Sequence, residues 1–135
     1  MKIALALSSA AATERLTQAL RDHGHTIAQA NANAKVGDLL ENPDAELIVV
    51  SYDLLSAVYE ARPGCLTALG RNTPIVVALA SDDLRDDRPL LPFGSGWIFL
   101  DDNLDRVAAA IALCASGYSM VPDAVAARLA RHRQR

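Results

Sequence analysis

The sequence predicts a three-layer α/β domain: a doubly wound, five-stranded parallel sheet in the order 2-1-3-4-5, with an extra helix at the C-terminal end. Three observations predict it. Short, wholly apolar runs recur along the chain, Ile3 to Leu7, Leu47 to Val50, "IVVALA" and "WIFL", and such runs suit parallel strands covered on both faces. Segments with helical apolar spacing lie between them. Strands joined to helices by short loops obey the right-handed crossover rule, which places helices on both sides of one sheet.

Ile3 to Leu7 is the first strand, ending in Ser8-Ser9. "ATERLTQALRDHG" carries Leu16, Ala19, Leu20 and His23 at helical spacing, and Gly24 supplies a left-handed cap for this first helix. His25 to Ala30 is a weak second strand, with Ile27 its one large apolar residue. Ala34 to Leu40 follows as a short helix, and Asn42-Pro43-Asp44 breaks the chain. Leu47 to Val50, four consecutive large aliphatics rich in β-branching, is the third strand. Leu54 to Leu69 has helical content interrupted by Pro63-Gly64, so a bent or broken helix is expected.

Thr73-Pro74 introduces the fourth strand. "SDDLRDDRPLLPFGSG" then holds too much proline and glycine for more than a short helix. Trp97 to Leu100 is the fifth strand. Asp101-Asp102-Asn103 offer caps for a helix over Leu104 to Ser116, striped by Val107, Ile111 and Cys114. "VPDAVAARLARHRQR" forms the last helix, opened by Pro122, with Val125 and Leu129 on one side and arginines toward its end. The expected division is a domain over 1–118 and a C-terminal helix or linker over 119–135, leading to a DNA-binding domain that this chain does not include.

Size and composition narrow the function. A chain of 135 residues, 51% hydrophobic and 21% charged, suits one soluble globular domain, which excludes wholesale disorder. A net charge of −3 and a pI near 5.5 provide no global field for nucleic acid, so DNA is expected only through a separate domain. Cys65 and Cys114 stand apart with no C-x-x-C pairing, and read as reduced core residues. The N-terminal apolar core, Ile3 to Leu7, is shorter than the roughly 7 to 15 residues of a secretory signal. No run approaches the roughly 20 apolar residues that cross a bilayer. A cytoplasmic location without membrane contact is the expectation.

"PDAELIVVS", "NTPIVVALA", "GWIFL" and "GYSMVP" resemble the successive signatures of a response-regulator receiver domain, particularly the kind that precedes a LuxR-type helix-turn-helix. The resemblance covers nearly the whole chain. It implies a first strand ending in an acidic pair for Mg²⁺, a third ending in the phosphoacceptor aspartate, a fourth in Thr or Ser, and a fifth in Lys. On this sequence those positions fall on Leu7 and Ser8, on Ser51, on Leu79 and on Leu100. Leucine offers no oxygen to a hard cation. An acyl phosphate needs a carboxylate nucleophile and positive charge to neutralise it, and neither is expected here. Trp97 takes the place of the aromatic that alternates between rotamers in similar receivers.

The resemblance and these substitutions together imply a degenerate receiver: a non-catalytic module of an atypical response regulator, with no cofactor. It would regulate transcription by phosphorylation-independent dimerisation, or by binding a regulatory protein or small ligand. A freestanding protein-interaction module is the alternative. A small flavodoxin-like metal or metabolite binder is another, since Asp53, Asp82, Asp83, Asp101 and Asp102 all follow strand ends; Asp53, Asp83 and Asp101 are its candidate ligands. An apolar pocket walled by Leu7, Leu79 and Leu100 would suit a small hydrophobic molecule.

Ser51, lacking a base, is expected to be satisfied by backbone groups in the turn that follows it, unless a separate kinase modifies it. The alanine-rich helix over 104–116 offers Val107, Ala108, Ile111 and Ala112 as a homodimer surface. "ALSSAAATERL" lacks the glycines of a dinucleotide loop. His23 and His25 read as helix-end residues rather than metal ligands, and His132 lies in the basic tail.

Overall fold

The computed structural model describes residues 1–29, 45–61, 73–80 and 96–133. These form β1 (Lys2–Ala6), α1 (Ala10–Asp22), β2 (Thr26–Gln29), β3 (Leu47–Ser51), α2 (Tyr52–Ala61), β4 (Ile75–Leu79), β5 (Gly96–Phe99), α3 (Leu104–Ala115) and α4 (Asp123–Arg133). The five strands make one parallel sheet in the order β2-β1-β3-β4-β5, as expected. The helix expected over Ala34 to Leu40, Cys65, the Pro63-Gly64 break and the segment with Asp82 and Asp83 lie outside the described residues.

Strand alternation divides the core in two. Ile3, Leu5, Val49, Val76 and Ile98 face α1 and α3, where Leu16, Leu20, Val107, Ile111 and Cys114 meet them. Ala4, Val50, Val77, Leu79 and Trp97 face the other way, toward Leu55 of α2 and Val125 of α4. Every residue of β3 and β4 is buried. This explains why their sequences are continuously apolar rather than alternating.

Local chemistry sets the helix ends. Ser9 caps α1, its hydroxyl accepting the Ala12 N–H at 3.2 Å. At the other end His25 N–H donates to Leu20 C=O and Gly24 N–H to Arg21 C=O, the paired bonds of a Schellman motif, with Gly24 at φ +87°. The same device closes α3. Tyr118 N–H reaches Leu113 C=O, Gly117 N–H reaches Cys114 C=O, and Gly117 has φ +98°. Of the three cap candidates before α3, Asn103 takes the role, accepting the Asp105 N–H at 2.8 Å.

Several boundaries near the site differ from the sequence expectation. β1 ends at Ala6, with Leu7 beyond it yet still buried. α2 follows β3 without a loop, starting at Tyr52 rather than Leu54, with the Asp53 carboxylate in its first turn, where the helix dipole favours it. β5 runs from Gly96 to Phe99, and Leu100 only donates its N–H to Leu79 C=O. α3 stops one residue early, because Ser116 becomes the C-cap with its hydroxyl on Ala112 C=O.

The described part of 119–135 packs on the same body. Met120 C=O accepts the Trp97 N–H at 2.8 Å, pairing Met120 with Gly96 beside β5. Val125 is fully buried and Leu129 packs against the same cluster, on the side predicted for them. The boundary expected after residue 118 therefore marks no break in packing. The chain leaves α3 on one face of the sheet, passes the β5 edge at Met120, and lays α4 on the opposite face.

Candidate functional site at the carboxyl edge of the sheet

In an open parallel sheet the strand order reverses at a switch point, and the crevice there lies beyond the carboxyl ends of two neighbouring strands. Here those strands are β1 and β3. Ser8 and Ser51 meet at this point. The backbone N–H of Ser8 donates to Ser51 Oγ at 3.0 Å, and the two hydroxyl oxygens stand 3.5 Å apart. Ser8 Oγ in turn donates to Asp53 Oδ1 at 3.2 Å. Ser51 is buried, while Ser8 and Asp53 face solvent.

The partner of Ser51 is thus the backbone at the end of β1, not the turn after β3 as the sequence suggests. That contact spans 43 residues of sequence, and nothing in local turn chemistry signals it. As an acceptor in this bond the Ser51 hydroxyl is held in place. The carboxylate nearest in sequence, Asp53, is turned to Ser8 rather than to Ser51. A serine nucleophile requires a base within hydrogen-bond reach, and none of the described residues supplies one to Ser51.

Leu7, Leu79 and Leu100 do not wall one pocket. Leu79 is fully buried in the cluster with Trp97 and Leu55, whereas Leu7 and Leu100 pack in the cluster on the α1 and α3 side. The sheet separates them, because Leu7 and Leu100 lie one residue past their strands while Leu79 ends its own. Asp53 begins α2 and Asp101 lies in the turn after β5; Asp83 is outside the described residues. Among the described residues no three His, Cys, Asp or Glu side chains converge as a metal site.

Trp97 is buried to 3% exposure. Its ring meets Tyr52 at a centroid distance of 5.9 Å and a tilt of 34°, a favourable aromatic geometry. Tyr52 was legible in the sequence only as the residue after β3. Its pairing with the edge strand follows from α2 starting without a loop.

The dimer stripe expected on α3 is buried in its own domain. Val107, Ala108 and Ile111 lie against the sheet, and only Ala112 of the four is exposed. The large apolar side chains that do reach solvent at this end are Leu113, Tyr118 and Val121.

Two groups have displaced pKa values. Burial pushes the Cys114 thiol up, only partly opposed by a hydrogen bond with the Met120 backbone, so this cysteine stays protonated. His25 is pulled down by burial first, then by the N-terminal charge and by His23. Its Nδ1 is buried with no hydrogen-bond partner among the described residues.

Known structures share this architecture. The chain superposes on the CheY-like receiver domain protein from Methanospirillum hungatei JF-1 with a TM-score of 0.63 at 14% identity, covering 86% of this chain and 94% of that one. The N-terminal domain of a response regulator/sensory box/GGDEF three-domain protein from Carboxydothermus hydrogenoformans gives 0.65 at 12% identity, with 86% and 94% covered. The inactive form of the regulatory domain of the repressor of iron transport regulator gives 0.63 at 14%, with 90% and 100% covered. No protein-family model matches the chain, and no curated protein matches its sequence. The fold is that of response-regulator receiver domains. No helix among the described residues is long and apolar enough to cross a membrane.

Proposed function

We propose that this domain is a pseudo-receiver, a non-catalytic regulatory module that signals by contact rather than by accepting a phosphoryl group. The observation that carries this reading is the Ser8–Ser51 hydrogen bond at the switch point. Where a phosphoacceptor carboxylate and its Mg²⁺ ligands would stand, this chain has the Ser51 hydroxyl accepting the Ser8 N–H, and the Ser8 hydroxyl turned to Ser51 and Asp53. Leu7, Ser8, Ser51, Leu79 and Leu100 are the vacated positions in this reading. Leucine cannot replace carboxylate oxygens around a hard cation. Without the cation and a lysine, charge developing on a transferred phosphoryl group has nothing to neutralise it.

Signalling then depends on a partner, a ligand or a second copy that binds one packing of the domain better than another. In a longer parent the last two helices would transmit this to a separate DNA-binding domain, controlling its dimerisation and so transcription. α3 and α4 suit that role because they lie on opposite faces and are joined at the β5 edge by Met120. A dimer would use exposed groups such as Ala112 and Leu113, since the rest of the stripe is buried.

Incubation with acetyl phosphate and Mg²⁺, followed by intact-mass measurement, tests the reading. An unchanged mass is expected. A stable adduct of one phosphoryl group that maps to residues 51–53 would overturn it.

A further inference from the structure

The outer edge of β5 carries two backbone groups with a defined direction and, among the described residues, no partner. Leu100 N–H donates to Leu79 C=O, so Ile98 and Leu100 turn their backbone groups toward β4. Trp97 and Phe99 turn theirs outward, because backbone groups alternate along a parallel strand. Met120 C=O takes the Trp97 N–H, and Asp102 N–H donates to Phe99 C=O at 3.2 Å. That leaves Trp97 C=O and Phe99 N–H. Neither is bonded among the described residues.

The chain's own isolated bridge at Met120 stops one pairing short of them, at Pro122. Met120 pairs in parallel with Gly96. Continuing that ladder would set residue 122 opposite Ile98, with its N–H on Trp97 C=O and its C=O on Phe99 N–H. Proline has no N–H to give. Residue 122 instead opens α4, its C=O accepting the Ala126 N–H at 2.9 Å.

Beside the unpaired groups lies a half-open cleft of about 240 Å³, lined by Phe99, Arg106, Val107, Ala110, Met120 and Val121 among others. Most of its wall is apolar, and Asp102 and Arg106 place one charge of each sign on it. Two backbone groups, one donor and one acceptor, are met together by a single residue of an extended chain. That residue's side chain, paired with Ile98, points as Ile98 does, to the α3 side, where Val107 and Ala110 wall the cleft.

We infer that the β5 edge binds an extended peptide segment of a partner protein, added as a short parallel strand after Met120, with an aliphatic residue seated between β5 and α3. This mode draws affinity from main-chain bonds and specificity from the pocket that takes the alternate side chain. The inference deepens the contact-signalling reading by naming the chemistry of a partner. Its failure is distinguishable from the failure of that reading, which a phosphoryl group or its mimic at the switch point decides.

The test uses the ¹⁵N-labelled chain titrated with acetyl-seryl-valyl-serine N-methylamide, followed through the Phe99 amide resonance. The Phe99 resonance shifts with an affinity of about 1 mM or tighter. The seryl-aspartyl-serine analogue binds about tenfold or more weakly, because its carboxylate would enter an apolar pocket. Pro122→Ala restores the missing N–H and lets the chain pair its own edge. In that variant the Phe99 amide becomes protected from exchange, and the valyl probe loses about tenfold or more in affinity. A Phe99 resonance unmoved at about 10 mM probe overturns the inference. So does equal binding of both probes, equal binding to Pro122→Ala, or probe-independent dimerisation that buries the Phe99 amide.

Discussion

Ser8 and Ser51 stand at the ends of adjacent strands, and the backbone N–H of the first donates to the hydroxyl of the second at 3.0 Å. This bond closes the crevice at the one place where the sheet's topology would present a ligand to two strand ends. Ser51→Ala removes the acceptor while leaving the strand. It should cost about 1 kcal/mol, or about 4 °C in Tm by thermal melt, because the Ser8 N–H at the solvent boundary is partly rehydrated. Ser51→Asp places a carboxylate at a buried position without a cation, so it should destabilise more than Ser51→Ala. Added Mg²⁺ should not restore it, since Leu7 and Leu79 still offer no ligand oxygens. Mg²⁺-dependent stabilisation of Ser51→Asp would refute that.

Gly96 is required by packing rather than by backbone angle. A Cβ at this position would collide with Cys114 Sγ on α3. Gly96→Ala should therefore destabilise the domain by about 1 to 3 kcal/mol in urea unfolding. Pairing it with Cys114→Ala should return part of that loss, a non-additivity expected only of residues in contact. Strict additivity would mean that the close approach of β5 and α3 is not what the glycine serves.

Cys114 is 1% exposed and its thiol is held above its usual pKa. The thiolate is the reactive species. The native chain should accordingly resist alkylation at this residue at neutral pH, and modification should appear only on addition of denaturant. Rapid native labelling of Cys114, read by peptide mass, would contradict the packing of α3 on β5.

His25 gives a pH signature with a definite sign. Its folded pKa lies below the ordinary value of 6.5. The unfolded chain therefore binds more protons in the window just under 6.5, and stability must fall as pH drops through that window. Above it, both states hold a neutral imidazole and the contribution is fully present. His25→Gln should flatten this part of the stability–pH curve, measured as urea midpoints between about pH 5 and 7.5. An unchanged slope would show that His25 is not the group responsible.

The sheet was readable from the sequence because its central strands are buried on both faces, and a run such as Leu47 to Val50 has no other use in a chain of this length. Gly24, Asn103 and the Val125–Leu129 side of the last helix were readable for equally local reasons. They are a left-handed cap, a side-chain acceptor at a helix start, and an i, i+4 pair. The strand ends that meet at the switch point were legible, but not the contacts of the side chains there. That Ser51 is bonded by Ser8, and that Leu79 lies on the opposite side of the sheet from Leu7 and Leu100, are consequences of strand parity and long-range pairing. A one-residue change in where β1 or β5 ends decides them. The stripe of Val107, Ala108 and Ile111 on α3 packs on its own sheet, which the sequence leaves open for a related reason: helical periodicity identifies an apolar stripe without saying what covers it.

The central claim is that this receiver fold no longer answers to a phosphoryl group. Trp97, the single tryptophan of the chain, makes a tilted ring contact with Tyr52 of the helix that begins directly after Ser51, and so reports on that site. Its emission should be unchanged when Mg²⁺ and beryllium fluoride, a phosphoryl mimic, are added together. A saturable change in Trp97 fluorescence that requires both would contradict the account.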